Sequence, residues 1–204
     1  MPSRIFLLSP AHCGGRRAGI LMREGSTLPI AVQLREGTLS IGDAFAFMSG
    51  LYFRGKLAYA RAFTRDDAGD VDPILVITPT RGLMPARTLI TAGLLREFAE
   101  VDIASGGSQY LRPLERDLAS LAGRLEEGEL VVLLGSVATG KYADVLTKWL
   151  NDRLRYPVSF AGRGDMSRGG LLLRSAAANA ELEYAVLRAG VRPRGPRPPK
   201  LTPL

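Results

Sequence analysis

Cysteine, histidine and tryptophan each occur once in this chain of 204 residues. A single thiol, Cys13, permits no internal disulfide, which fits a reducing, cytoplasmic setting. His12 and Cys13 are the only imidazole and the only thiol, so no His/Cys zinc set can be assembled and no metal or other cofactor is expected. Lysine is scarce as well, with 4 Lys against 23 Arg. That bias suits bidentate phosphate contacts, and a GC-rich coding sequence would produce it equally. No apolar run approaches the roughly 20 residues of a membrane span, so no membrane partner is expected. The opening apolar stretch is cut short by Pro10 and reads as a buried first strand rather than a signal peptide. Acids are missing from the end of the chain. None follows Glu183, whereas Arg188, Arg192, Arg194, Arg197 and Lys200 do. Without those five the net charge of +7 falls to near neutrality, with 22 basic residues against 20 acidic. The basicity is therefore largely a property of the Pro-rich end. That end either attracts nucleic acid or an acidic protein, or is simply solvated.

What is present fits one globular unit. Hydrophobic residues make up 46% of the chain and charged residues 23%, enough apolar material for a core. Residues 1–190 read as a single α/β domain and 191–204 as a basic, Pro-rich tail. Four short apolar runs bounded by Gly, Pro, Ser or Thr predict buried strands: Ile5–Ser9, Ile74–Thr78, Leu130–Leu134 and Pro157–Phe160. Helical spacing lies between them. It covers Gly42–Phe63, divided by Gly50 and Gly55, then Tyr110–Leu125 and Lys141–Leu154. Strands alternating with helices predict a three-layer α/β/α fold around a mostly parallel sheet. Leu28–Leu34 reads as a further antiparallel strand. Gly170–Arg174 and Glu183–Leu187 form a small C-terminal β addition, with a helix over Ala176–Leu182 as the competing reading. Ser40 followed by Asp43 reads as a helix N-cap.

In an open α/β sheet, ligands bind beyond the carboxyl ends of the strands. The loops after the four predicted strands therefore carry the candidate site. They contain Ser9, His12, Gly14, Gly15 and Arg16; then Thr78, Thr80 and Arg81; then Gly135, Ser136, Thr139, Gly140 and Lys141; then Arg163, Asp165, Ser167 and Arg168. Each joins Gly or Pro turns to hydroxyls and a cation, the chemistry that holds an oxyanion on backbone amides and helix N-termini. Their convergence predicts one anion-favouring rim that takes a nucleotide or a nucleic-acid backbone. The third loop is G-x-x-x-x-G-K, a phosphate-cradling pattern, but Tyr142 stands where a P-loop has the magnesium-ligating Ser or Thr. It is either an anion site or a tight strand-to-helix turn with Lys141 at the surface. His12 and Asp165 are the candidate proton-handling residues. Asp165 equally fits a turn-shaping salt bridge with Arg163 or Arg168, and Cys13 fits a buried filler. Tyr52 is a candidate base-stacking residue beside Arg54 and Lys56; the other reading packs Tyr52 and Phe53 into a helix junction with both cations facing water.

The Leu7-Leu8-Ser9-Pro10 strand end, Leu51-Tyr52-Phe53-Arg54, the strand end Ile77-Thr78-Pro79-Thr80-Arg81-Gly82-Leu83 and the strand end Leu134-Gly135 together resemble a group of bacterial α/β domains. They are similar to the uracil-DNA-glycosylase-like domain of archaeosine synthase, over about residues 4–160. The resemblance implies a three-layer α/β/α domain acting on nucleobases or nucleic acid. Uracil-DNA glycosylases carry a water-activating Asp after the first strand and a late His-Pro-Ser loop; this chain has His12 in the first place and no second His. The leading expectation is a nucleotide- or nucleic-acid-associated protein with N-glycosidase or other nucleobase-processing chemistry. The alternatives are a phosphoryl-transfer enzyme with a degenerate P-loop, and a non-catalytic module that binds through its basic tail.

Overall fold

The computed structural model describes residues 4–64, 71–137, 140–191 and 193–196, without the side chain of Lys141. In chain order the elements are β1 (Arg4–Leu8), α1 (Arg16–Leu21), α2 (Pro29–Glu36), α3 (Ile41–Ser49), α4 (Leu51–Phe63), β2 (Ile74–Ile77), β3 (Leu83–Pro85), α5 (Ala92–Ala99), α6 (Ser108–Arg124), β4 (Leu130–Leu134), α7 (Gly140–Leu150), β5 (Leu154–Pro157), α8 (Asp165–Ala177) and β6 (Tyr184–Val186). The six strands form one sheet in the order β3-β2-β1-β4-β5-β6. Its four central strands are parallel, and β3 and β6 run antiparallel at the two edges.

The central strands are apolar on both faces because both faces are covered. Phe6, Leu8, Val76, Val132 and Leu134 pack into one core. Their neighbours Ile5, Leu7, Leu75, Ile77, Val131 and Leu133 pack into the other. The first core receives α1 to α5 and α8, through residues such as Leu21, Leu34, Phe45, Phe53, Leu95 and Leu172. The second receives α6 and α7 through Leu114, Leu118, Leu121, Leu146 and Leu150. The fold is therefore the expected α/β arrangement, in three layers and with a mostly parallel sheet.

Five local expectations are corrected. Leu28–Leu34 is helical: Pro29 occupies the first helical position, where its fixed φ favours a start, and Gly37 closes α2 in the left-handed region at φ 70°. The fourth strand lies at Leu154–Pro157, ahead of Pro157–Phe160, whose last three residues form a 3-10 turn. Gly170–Arg174 is interior to α8, where 3.6-residue spacing buries Arg168, Leu172 and Ser175 on one face. The competing helix over Ala176–Leu182 does not form either, because α8 ends at Ala177. The C-terminal β addition survives as β6 alone, paired with β5. Gly50 does separate α3 from α4, at φ 64°, but Gly55 lies inside α4. From the tail, Gly195 packs on Ala161; residues 192 and 197–204 lie outside the description.

Ser40 caps α3 as its spacing predicts. Its hydroxyl accepts from the Asp43 amide at 3.1 Å and donates to the Asp43 carboxylate at 2.7 Å. Ser40→Ala is expected to cost on the order of 1 kcal/mol, read as a Tm about 3 °C lower in calorimetry.

Candidate functional site

The chain moves from β1 outward to β2 on one side, then returns across the sheet to β4 and continues to β5 on the other. The reversal lies between β1 and β4, so their carboxyl ends splay apart and leave a crevice. Ser9 follows β1 there, and its amide donates to the Leu134 carbonyl at 3.2 Å, the last rung of the ladder. Gly135 follows β4. A Cβ at that position would stand 3.0 Å from the Ser9 Cβ and 3.2 Å from its Oγ, so glycine is what lets the two chain ends pass.

A cavity of about 680 Å³ opens at this switch point. The first loop contributes Ser9, Pro10, Ala11, His12 and Cys13. The α3–α4 junction adds Ser49 and Tyr52, and Pro79 comes from the loop after β2. The end of α5 and the segment to residue 104 form a further wall that includes Phe98, Glu100 and Asp102. Ser136, Tyr142 and Asp165 close it from the β4 and β5 side. Every one of the four predicted loops therefore reaches the cavity.

Among the described residues, Arg81, Arg163 and Arg168 do not line it as expected. Arg81 forks onto the Glu97 carboxylate at 2.9 and 2.5 Å, and the Thr80 hydroxyl donates to the same group. Thr78 is buried, donates to the Gly82 carbonyl at 3.0 Å and accepts from the Arg81 amide at 3.0 Å, which shapes the turn. Arg163 donates to the Ser159 carbonyl and the Ser167 hydroxyl, both at 3.0 Å. Arg168 is buried along α8, donates to the Phe160 carbonyl at 3.2 and 3.3 Å, and meets Asp165 at 3.4 Å. Gly14 and Gly15 lie beneath the His12 ring, and Arg16 opens α1, a helix of only 6 residues. Gly140 opens α7; Thr139 and the Lys141 side chain lie outside the described residues. Among the described residues the charged groups lining the cavity are Glu100, Asp102 and Asp165. Among those residues acids and hydroxyls, rather than arginines, line it. Nor do any three His, Cys, Asp or Glu side chains gather to hold a metal ion among the described residues.

Beneath the cavity lies a group that the sequence reading sends to the solvent. Lys56 is 1% exposed. Its Nζ donates to the Ser9 carbonyl at 2.5 Å and lies 2.9 Å from the Ser9 Oγ. The rings of Tyr52 and Phe53 flank it at 4.5 and 4.7 Å. Burial drives the Lys56 ammonium down from 10.5 to about 7; the Asp165 charge opposes this and the Arg168 charge reinforces it. Arg54 on the same segment does face water. Tyr52 is packed into the helix junction, and its hydroxyl is buried with no hydrogen-bond partner in normal geometry, even though the Arg168 charge acts on it. Burial raises the Tyr52 phenol and takes that of Tyr142 up to about 12. It also holds the Cys13 thiol up at about 12, and the Cys13 Sγ donates to the Ala11 carbonyl at 3.6 Å. Cys13 is therefore a protonated filler, and no thiolate–imidazole pair forms with His12.

The structure thus gathers Ser9, His12, Tyr52, Ser136 and Asp165 of the predicted set, and adds Ser49, Tyr142, residues 98–104 and Lys56 beneath them. Lys56 had a signal: it lies three residues after Phe53 and four before Ala60, on the buried face of α4. Comparison with family models, with curated proteins and with solved structures returns no match.

Proposed function

We propose that the switch-point cavity binds a nucleoside or its base, and that the chain is a nucleobase-processing hydrolase of the N-glycosidase type. The observation that carries this reading is the cavity itself. It lies at the strand ends where α/β folds take ligands, its volume of about 680 Å³ suits a compact organic ligand, and the polar groups of its wall, among the described residues, are hydroxyls, one imidazole and carboxylates. Base edges are rich in N–H donors, which Ser49 and Ser136 can accept. Cleavage of the glycosidic bond needs a proton for the departing base and negative charge near the sugar cation. His12 is the candidate for the first task and Asp165 for the second. The pairing of Arg81, Arg163 and Arg168 with groups of their own favours a neutral nucleoside over a polyphosphate. The resemblance to the uracil-DNA-glycosylase-like domain points to the same substrate class.

The test is release of free base, followed chromatographically, from a panel of ribo- and deoxyribonucleosides, nucleotides and oligonucleotides at low salt. Release from at least one is expected, and His12→Ala and Asp165→Asn should each lower it by about 10²–10⁴-fold. If no member of the panel is cleaved or bound, the proposal fails.

A further inference from the structure

We propose that Ser9 is a nucleophile with Lys56 as its general base, and that the cavity hydrolyses an ester or amide through an acyl-Ser9 intermediate. This goes beyond the nucleoside reading, because it rests on a different pair of residues and a different bond.

Ser9 is the one cavity-lining hydroxyl with an amine in hydrogen-bonding range among the described residues, at 2.9 Å. Ser49 and Ser136 line the same cavity without a basic partner among those residues. The pair is held from several sides. The Ser9 carbonyl fixes the amine at 2.5 Å. The Tyr52 and Phe53 rings hold it from its own helix. Gly135 brings no Cβ against Oγ, where one would stand at 3.2 Å. No carboxylate pairs with Lys56 among the described residues; Asp165 and Arg168 on α8 are the charges that act on it, in opposite senses. Burial without an ion pair favours the neutral amine, and Lys56 loses its proton around pH 7. A neutral amine has two N–H donors and one lone pair. As an ammonium Lys56 donates to both the Ser9 carbonyl and the Ser9 Oγ, whose own proton makes only a long bond of 3.5 Å to the Leu134 carbonyl. As a neutral amine it keeps the bond to the carbonyl and turns its lone pair to the hydroxyl, which gives up that long bond and its proton.

The reaction balances within the pair. Lys56 takes the Oγ proton as Oγ bonds to the substrate carbonyl carbon. The tetrahedral oxyanion collapses, the bond to the alcohol or amine breaks, and the leaving group takes the proton back from the Lys56 ammonium. Water then attacks acyl-Ser9, giving its proton to Lys56. The ester bond to Oγ breaks, Oγ recovers a proton from Lys56, and the acid is released. Among the described residues the charged groups on the wall are the acids Glu100, Asp102 and Asp165, and these favour an uncharged or cationic substrate over an anionic one.

The full chain treated with a fluorophosphonate, whose fluoride a nucleophilic serine displaces, tests this directly by mass spectrometry with peptide mapping. A single adduct on Ser9 is expected, forming about tenfold faster at pH 8 than at pH 6 as Lys56 deprotonates around 7. Ser9→Ala should abolish the adduct. Lys56→Arg, which keeps the charge but never deprotonates, should abolish it with Ser9 still present. The wild-type pH profile decides the matter even if that variant does not fold. No adduct, an adduct on Ser49 or Ser136 instead, or Ser9 labelling that is flat from pH 6 to 8 overturns the proposal. The labelling reads Ser9 alone, whatever the nucleoside panel gives.

Discussion

Gly169→Ala is expected to destabilise the protein by about 3 kcal/mol, although alanine is the better helix former. The reason is the crossing of α4 and α8. A Cβ at Gly169 would lie 2.7 Å from the Leu51 carbonyl oxygen and 2.8 Å from the Tyr52 Cα. One at Gly55 would lie 2.5 Å from the Gly169 carbonyl oxygen and 3.0 Å from its Cα. These neighbours are backbone, so no side chain can swing away and one helix must shift bodily. Helix propensity favours the alanine by about 1 kcal/mol, and overpacking against backbone outweighs it. Urea unfolding reads the effect, with Gly123→Ala as the matched control: that glycine also lies in a helix, α6, and a Cβ there meets nothing within 4 Å. The control should be neutral or stabilising. An unchanged or raised urea midpoint for Gly169→Ala would show that the two helices do not touch in this way. The consequence reaches the site, because α4 carries Tyr52 and Lys56 to the cavity. A shifted α4 should slow labelling of Ser9 as well.

The same crossing explains what the sequence left obscure. β1, β2 and β4 are legible because a central parallel strand is apolar on both faces and needs no partner to be recognised. β5 is less so, since Arg155 and Tyr156 are only half-buried there, and the apolar signal slides onto the following 3-10 turn. Leu171-Leu172-Leu173 is a three-residue apolar run that suits a strand or a helix. Tertiary contact decides it: Gly169 and Leu172 pack toward α4 and the sheet. The position of the site follows from topology, and so the loops after β1 and β4 could be named from residues alone. The state of their cations could not. Arg81 finds Glu97 sixteen residues away on α5, and no local pattern announces that pair. Gly55 is legible as a special position, but its role is a helix crossing rather than a break.

Stability should rise, not fall, as the pH is taken from 7 to 9. Lys56 titrates near 7 in the folded chain and near 10.5 when unfolded. Between those values the unfolded chain holds a proton that the folded chain has lost, and stability increases with pH wherever that is so. The stability linked to this group is thus complete above the unfolded value and is lost as the pH falls toward 7. Groups raised by burial act in the opposite sense at the alkaline end. Cys13 is held near 12 against an ordinary 9.0, and Tyr142 near 12 against 10.0. Tyr52, Tyr110 and Tyr184 are raised too. Their contribution is intact below the ordinary values and declines above them, so the curve should turn over near pH 9 to 10. One proton is worth about 1.4 kcal/mol per pH unit, which gives a gain of about 1–2 kcal/mol between pH 7.5 and 9. Urea midpoints at those two pH values measure it. Lys56→Met, which keeps the volume and removes the titration, should flatten the rise. A wild-type curve that is level or falling over this range, or an equal rise in the variant, would remove Lys56 as its origin. The comparison also separates a strut from a base. A lysine that only props the Ser9 carbonyl shapes the stability curve and leaves Ser9 labelling indifferent to pH. A lysine that also takes the Ser9 proton gives both curves the same lower midpoint.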